Sequence, residues 1–237
     1  MQSTTSNILL AGLGAASRAS LLGDAETVML ESGRPLYRPD DVIAHAYFPV
    51  GAAIALSIRD TGARTPTVGV IGREGMLGLE LVFDVPKAEI LAVVQCSGSA
   101  MRVARAPFNR QLRDHPALLS RLKRYAFVRL LQLSRDVCCH DRHLVEKRLA
   151  CQLLLARDRT GSDVIPMTHE TLASVLGVRR AGVTLAASVL RASGLIRYSR
   201  GSIDLLNLGG LEVSACDCYA TGKRVYERLL AAGRLPE

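Results

Sequence analysis

No stretch of this 237-residue chain approaches the roughly 20 consecutive apolar residues that a helix needs to cross a bilayer. The opening Met1-Gln2-Ser3-Thr4-Thr5-Ser6-Asn7 lacks the basic start of a secretion signal, so the expectation is a cytoplasmic protein with no membrane partner. Cysteines are scattered: Cys96, Cys138, Cys139, Cys151, Cys216 and Cys218 have neither the density of a small secreted scaffold nor the two-residue spacing of a zinc knuckle. Two local groups do carry ligand types, Cys138-Cys139-His140-Asp141-Arg142-His143 and Cys216-Asp217-Cys218. Adjacent cysteines on a helix point about 100° apart and do not easily share one ion. Reduced, buried or half-buried thiols and no metal site are therefore expected. Histidine is scarce where a barrel enzyme of the cupin kind would need it. Between Leu36 and Ala104 the only one is His45, against the clustered His and carboxylate ligands that such chemistry requires. An enzyme ranks behind a binding protein.

The chain has length enough for two domains, each with its own core. Its 49% hydrophobic and 22% charged residues are those of a globular protein, and its net charge of +8 with a pI near 9.5 favours a polyanionic partner such as nucleic acid.

From about Leu36 to Ala104, short apolar runs at Ala52 to Arg59, Thr65 to Ile71, Ile90 to Gln95 and Ala100 to Ala104 alternate with turn residues. Asp60-Thr61-Gly62 reads as a hairpin turn, and Gly69, Gly72, Gly75 and Gly78 mark corners, as in an antiparallel barrel or roll. Ahead of it, Ala19 to Val28 reads as a small helix. From Ala106 the period lengthens. Pro107 and Phe108 open a short helix, and Pro116 starts a second, which runs from Ala117 to Cys139 with Leu119, Leu122, Ala126, Leu130 and Leu133 as its apolar stripe. A helix of about six turns with such a stripe suits a twofold mate, or alternatively its own β domain. His143 to Arg157 forms a further helix, and Leu208 to Arg228 a helical tail.

Between them lies the most informative stretch, Thr168 to Thr184. Thr168 suits a helix N-cap, Leu172, Val175 and Leu176 line one face, Ala173 allows a close crossing, and Gly177 suits a left-handed helix exit. Val183, Ala187 and Leu190 then face inward on a second helix, leaving Arg179, Arg180, Thr184, Ser188 and Arg191 outward. This is a helix-turn-helix, a device for entering a DNA groove. Leu195 to Leu205 follows as two strands with a turn at Arg200-Gly201-Ser202, a wing that brings Arg197 and Arg200 toward phosphates. The candidate DNA-binding set is Thr168, His169, Arg179, Arg180, Thr184, Ser188, Arg191, Arg197 and Arg200.

The fold expected is α+β: an antiparallel, jelly-roll-like β-roll over 1–105, a connecting and dimerisation helix over 106–140, and a winged helix-turn-helix domain with a helical tail over 141–237. In that order these parts resemble the Crp/Fnr family of bacterial transcription regulators. The resemblance is carried by Val145-Glu146-Lys147-Arg148-Leu149-Ala150, by Thr168 to Leu190 and, more loosely, by Gly75-Met76-Leu77-Gly78-Leu79-Glu80. It implies a homodimer on double-stranded DNA, an effector-sensing roll, and RNA polymerase as a candidate partner. Gly75, Gly78, Glu80 and Lys87 are the effector-pocket candidates. Cyclic-nucleotide-binding members of the family clamp the phosphate with an Arg, whereas Val85-Pro86-Lys87-Ala88-Glu89-Ile90 has none; no cofactor is expected, and the effector is unknown or absent. No cysteine precedes Cys96, so the family's iron-sulfur oxygen sensing is unsupported. Arg180 matches the family's main base-contacting Arg, with Ala181 and Leu185 departing from its pattern. A DNA-binding protein without any effector is the remaining alternative.

Overall fold

The computed structural model describes residues 7–58, 66–199 and 201–230. The turn expected at Asp60-Thr61-Gly62 and the wing residue Arg200 lie outside the described residues.

Numbered in chain order, strands β1 (Ala25–Leu30), β2 (Pro35–Tyr37), β3 (His45–Pro49), β4 (Ala53–Ser57), β5 (Thr67–Ile71), β6 (Leu91–Cys96) and β7 (Gly98–Ala104) make two antiparallel sheets. Their orders are β1-β7-β3 and β2-β6-β4-β5. Alternate residues of β6, namely Ala92, Val94 and Cys96, are buried, as the two-residue strand period demands. Leu30, Phe48, Ile54, Val94 and Val103 join one core. This is the expected roll, reached with three strands the apolar runs did not reveal.

The helix expected at Ala19 to Val28 is displaced. Helix α1 (Ile8–Ala11) is capped by Asn7, and α2 (Ala15–Gly23) ends before β1 begins at Ala25. Six consecutive pairs, Ala25↔Val103 to Leu30↔Gly98, hold β1 in the sheet, and that ladder overrides a weak helical pattern.

Helix α3 (Arg105–Asp114) leads to α4 (Pro116–Arg142), whose 27 residues span about 40 Å with Pro116 in the first turn. The apolar stripe expected to make the dimer contact needs correction. Leu122 is wholly buried in the roll's core with Leu118, Tyr125 and Val128, and Leu119 packs against the same core. Ala126 is half-buried, whereas Leu130 and Leu133 stay exposed. The outward seam is rotated: Phe127, Leu130 and Val137 are 51%, 57% and 72% exposed, at steps of three and seven that continue to Leu144. Helix α4 is apolar on two faces, and the expected stripe takes Leu119 and Leu122 from the covered face and Leu130 and Leu133 from the exposed one.

The second half comprises α5 (Val145–Thr160), β8 (Val164–Ile165), α6 (His169–Leu176), α7 (Arg180–Ala192), β9 (Ile196–Ser199) and β10 (Ser202–Leu205). Its sheet runs β8-β10-β9, adding to the expected wing a strand from beyond the Arg159 to Asp163 loop. The tail is two helices, α8 (Leu208–Ser214) and α9 (Cys218–Leu230), broken at Ala215-Cys216-Asp217. Helix α9 turns back onto α4, where the Leu230 carbonyl accepts from Arg121 Nη1 at 2.9 Å and the Tyr226 hydroxyl donates to the Glu74 carbonyl at 2.6 Å.

The two halves are not separate bodies joined by a rod. Ala53, Val70 and Cys96 of the roll belong to the same buried cluster as Leu149, Leu172, Val183 and Ile203. Thr67 and Ser174 are hydrogen-bonded across the junction at 3.0 Å, and the Arg73 N–H donates to the Arg159 carbonyl at 3.0 Å. Among the described residues no single helix is long and apolar enough to cross a membrane.

Candidate nucleic-acid interface

The reading unit begins with a cap. Thr168 lies in extended conformation and its Oγ1 accepts from the Thr171 N–H at 3.1 Å, satisfying one of the free donors at the start of α6. Leu172, Ala173 and Leu176 are buried, and α6 ends at Gly177 with φ +62°. Only glycine takes that left-handed turn without strain. The Arg148 guanidinium, buried beneath, donates to the Leu176 carbonyl at the same end. Helix α7 then leaves at 106° to α6, within the range of a helix-turn-helix. Val183, Ala187 and Leu190 are buried as expected, together with Ala186.

The outward face of α7 differs in composition from the sequence reading. Arg179, at the N-cap, and Arg180, at the first helical position, are exposed, as is Arg191 in the last turn. None of the three forms an ion pair among the described residues. Thr184 and Ser188 have prior engagements: their hydroxyls donate to the Arg180 carbonyl at 3.1 Å and the Leu185 carbonyl at 2.7 Å. Between the arginines lie Ala181, Leu185 and Val189, at i, i+4 and i+8, with Leu185 64% exposed. Ala181 and Leu185, which depart from the family pattern, thus form an apolar stripe with Val189. Spacing alone would have found it.

His169 turns out to be a brace. With the Thr184 proton committed to Arg180, the His169 Nδ1–H donates to Thr184 Oγ1 at 3.0 Å, which leaves Nε2 as a buried acceptor with no protein partner among the described residues. Partial burial, and secondarily the nearby Arg180 charge, push its pKa below the ordinary imidazole value. Its ring lies 4.3 Å from that of Tyr198, tying the wing to the start of α6. Arg197 on β9 donates through Nε and Nη2 to Asp204 on β10, at 2.9 and 2.7 Å. Its guanidinium is therefore partly neutralised within the wing, unlike those on α7.

The effector-pocket candidates Gly75, Gly78, Glu80 and Lys87 sit in different surroundings. A Cβ at Gly75 would sit 1.9 Å from the Tyr125 hydroxyl, so this glycine admits a helix α4 side chain. Gly78, with φ +92°, opens the short 3-10 helix Leu79–Phe83. Glu80 is half-buried near Tyr37, with burial raising its pKa, while Lys87 is exposed in a β-bridge to Val42. An opening lies elsewhere. A cavity of about 480 Å³ runs between the roll, α4, α5 and α9, lined in part by Arg129, Asp136, Arg159 and Tyr226.

Three comparisons bear on this arrangement. Residues 147–213 match the Crp-like helix-turn-helix domain family. The nitrogen fixation regulation protein FixK of Bradyrhizobium diazoefficiens is 26% identical over 197 residues, 79% of this chain and 81% of that protein. The transcriptional regulator SdrP of Thermus thermophilus is 28% identical over 150 residues, 61% of this chain and 67% of that protein. Among solved structures, FixK2 from Bradyrhizobium japonicum superposes with a TM-score of 0.68 at 18% identity, covering 81% of this chain and 98% of that one. The matched domain contains α6, α7 and the wing, the elements that hold the arginine face outward.

Proposed function

We propose that the chain is a DNA-binding transcription regulator of the Crp/Fnr type and works as a homodimer whose two α7 helices enter successive major grooves about 34 Å apart on an inverted-repeat operator. The observation that carries this reading is the exposed N-terminal end of α7, with Arg179 and Arg180 free of ion pairs among the described residues. In helix-turn-helix proteins the N-terminal residues of the second helix are those that reach base edges. Arg180 is assigned the bidentate contact to a guanine, and Ala181 and Leu185 offer apolar surface to thymine methyl groups nearby. Arg179 and Arg191 contact phosphates, contributing affinity that falls with salt.

The partner helix docks along Phe127, Leu130 and Val137, the part of α4 that the roll leaves uncovered. No cyclic nucleotide is assigned. Gly75 and Gly78 are explained by packing, Lys87 faces solvent, and no arginine stands in the segment that would face a phosphate. No catalytic step is assigned either, and a regulator of this kind works in the cytoplasm, where the chromosome is. Selection from random duplex DNA tests the proposal: the enriched sites are inverted repeats with half-sites one helical turn apart, bound by two chains. Enrichment of single half-sites, or none, contradicts it.

A further inference from the structure

Two segments that look unrelated in sequence meet at the junction of α4, α5 and the tail. Cys139 and His143 stand one turn apart at the end of α4, where the His143 N–H donates to the Cys139 carbonyl at 3.2 Å. Cys216 lies in the break between α8 and α9 and Cys218 opens α9; the Cys216 N–H fixes the break by donating to the Lys147 carbonyl and the Cys216 carbonyl by accepting from the Tyr219 N–H. Three sulfurs and one imidazole nitrogen thus lie within 4.8 Å of one another.

We propose that Cys139, His143, Cys216 and Cys218 form a structural zinc site. Zinc is held tetrahedrally at about 2.3 Å from sulfur and about 2.0–2.1 Å from histidine nitrogen, which places two sulfurs about 3.8 Å apart and a sulfur and a nitrogen about 3.5–3.6 Å apart. The Cys139 and Cys216 sulfurs are 3.6 Å apart, and the Cys218 sulfur is 3.6 Å from His143 Nδ1. Both pairs already sit near the edges of the required tetrahedron. Three thiolates and one imidazole are a recurrent zinc donor set, and the four positions leave no place for a substrate, as in structural rather than catalytic sites.

The surroundings agree. Arg135, one turn before Cys139, adds positive charge beside Cys218, which offsets the net negative charge of a zinc with three thiolates. Cys138 points away into solvent and takes no part. Of the adjacent pair only Cys139 faces the cluster, where it meets donors 77 residues away. The ion would tie the C-terminal helix to the end of the long helix, at the boundary between the DNA-reading half and the roll.

Full-length protein purified reduced and without chelator, from cells grown with zinc, is analysed for metal by mass spectrometry. About one zinc per chain is expected, released in step with modification of the thiols by a mercurial. Cobalt replacing zinc gives the intense visible absorption of a tetrahedral thiolate site together with a sulfur-to-cobalt charge-transfer band. Cys216→Ser and Cys218→Ser lose the metal, whereas Cys138→Ser keeps full occupancy. Because the serine variants can misfold, His143→Cys provides a second arm: it retains one metal per chain with a cobalt spectrum shifted toward four sulfur ligands. Wild type that holds no metal after dialysis against zinc, a Cys139–Cys216 disulfide in place of metal, iron in stoichiometric amount, or full occupancy in Cys216→Ser would each overturn the assignment.

Discussion

Leu130 and Leu122 lie on the same helix, eight residues apart, and truncating each to alanine separates association from folding. Leu130 is 57% exposed on the outward seam, while Leu122 is wholly buried in the roll's core. Burying a whole leucine side chain contributes about 1.5–3 kcal/mol, so burying the exposed half against a partner contributes about 1–1.5 kcal/mol per chain. Twofold symmetry counts it twice, giving about 2–3 kcal/mol and, at about 1.4 kcal/mol per decade, a dimer dissociation constant about 30- to 140-fold weaker in Leu130→Ala. Its melting temperature, measured at high protein concentration, changes little. For Leu122→Ala the expected loss is about 2–5 kcal/mol of folding stability from lost contacts and a residual cavity. In a chain of this size that lowers the melting temperature by about 4–20 °C, at about 2–4 °C per kcal/mol. Sedimentation equilibrium and thermal unfolding of both variants decide the matter. Unchanged association in Leu130→Ala, or a weakened dimer with an unaltered melting temperature in Leu122→Ala, refutes the assignment of the two faces.

Three further outcomes follow from the interface. Thr168→Ala removes the cap of α6 and costs about 1 kcal/mol, seen as a lower melting temperature and as equal weakening on specific and random DNA. Arg197→Ala weakens DNA binding less than Arg179→Ala and changes the salt slope by less than about one, since Asp204 already offsets its charge; gel shifts across a salt series measure both. The pKa of His169 is depressed in the folded state, so below about 6.5 the unfolded chain takes up the proton first and folding stability falls as the pH is lowered. Denaturant unfolding between pH 7 and 5 is therefore steeper in pH for wild type than for His169→Gln, and equal slopes would remove His169 as the cause.

Legibility in the sequence followed the range of the interactions involved. The helix-turn-helix was readable because its signals are local: a capping threonine, a small residue at the crossing and a left-handed glycine lie within ten positions. The wing was readable for the same reason. Strand β1 was not, because Glu26 and Thr27 face solvent and its identity depends on pairing with β7, some seventy residues on. Which part of α4 is covered was not legible either: the helix is apolar on two faces, and only the fold reveals that the roll occupies the one through Leu118, Leu122 and Tyr125. The brace between His169, Thr184 and Tyr198 needs the wing to be folded back, and the convergence of cysteines needs the tail to be broken at Cys216; neither is encoded in a spacing.

The central claim is that α7 reads bases through Arg180 in a symmetric dimer. Binding-site selection with wild type and Arg180→Ala tests it most directly. The account predicts that the variant loses preference at one symmetric guanine pair, by about 1–3 kcal/mol per half-site, while the spacing of the repeat is retained. An unchanged site preference in Arg180→Ala contradicts it.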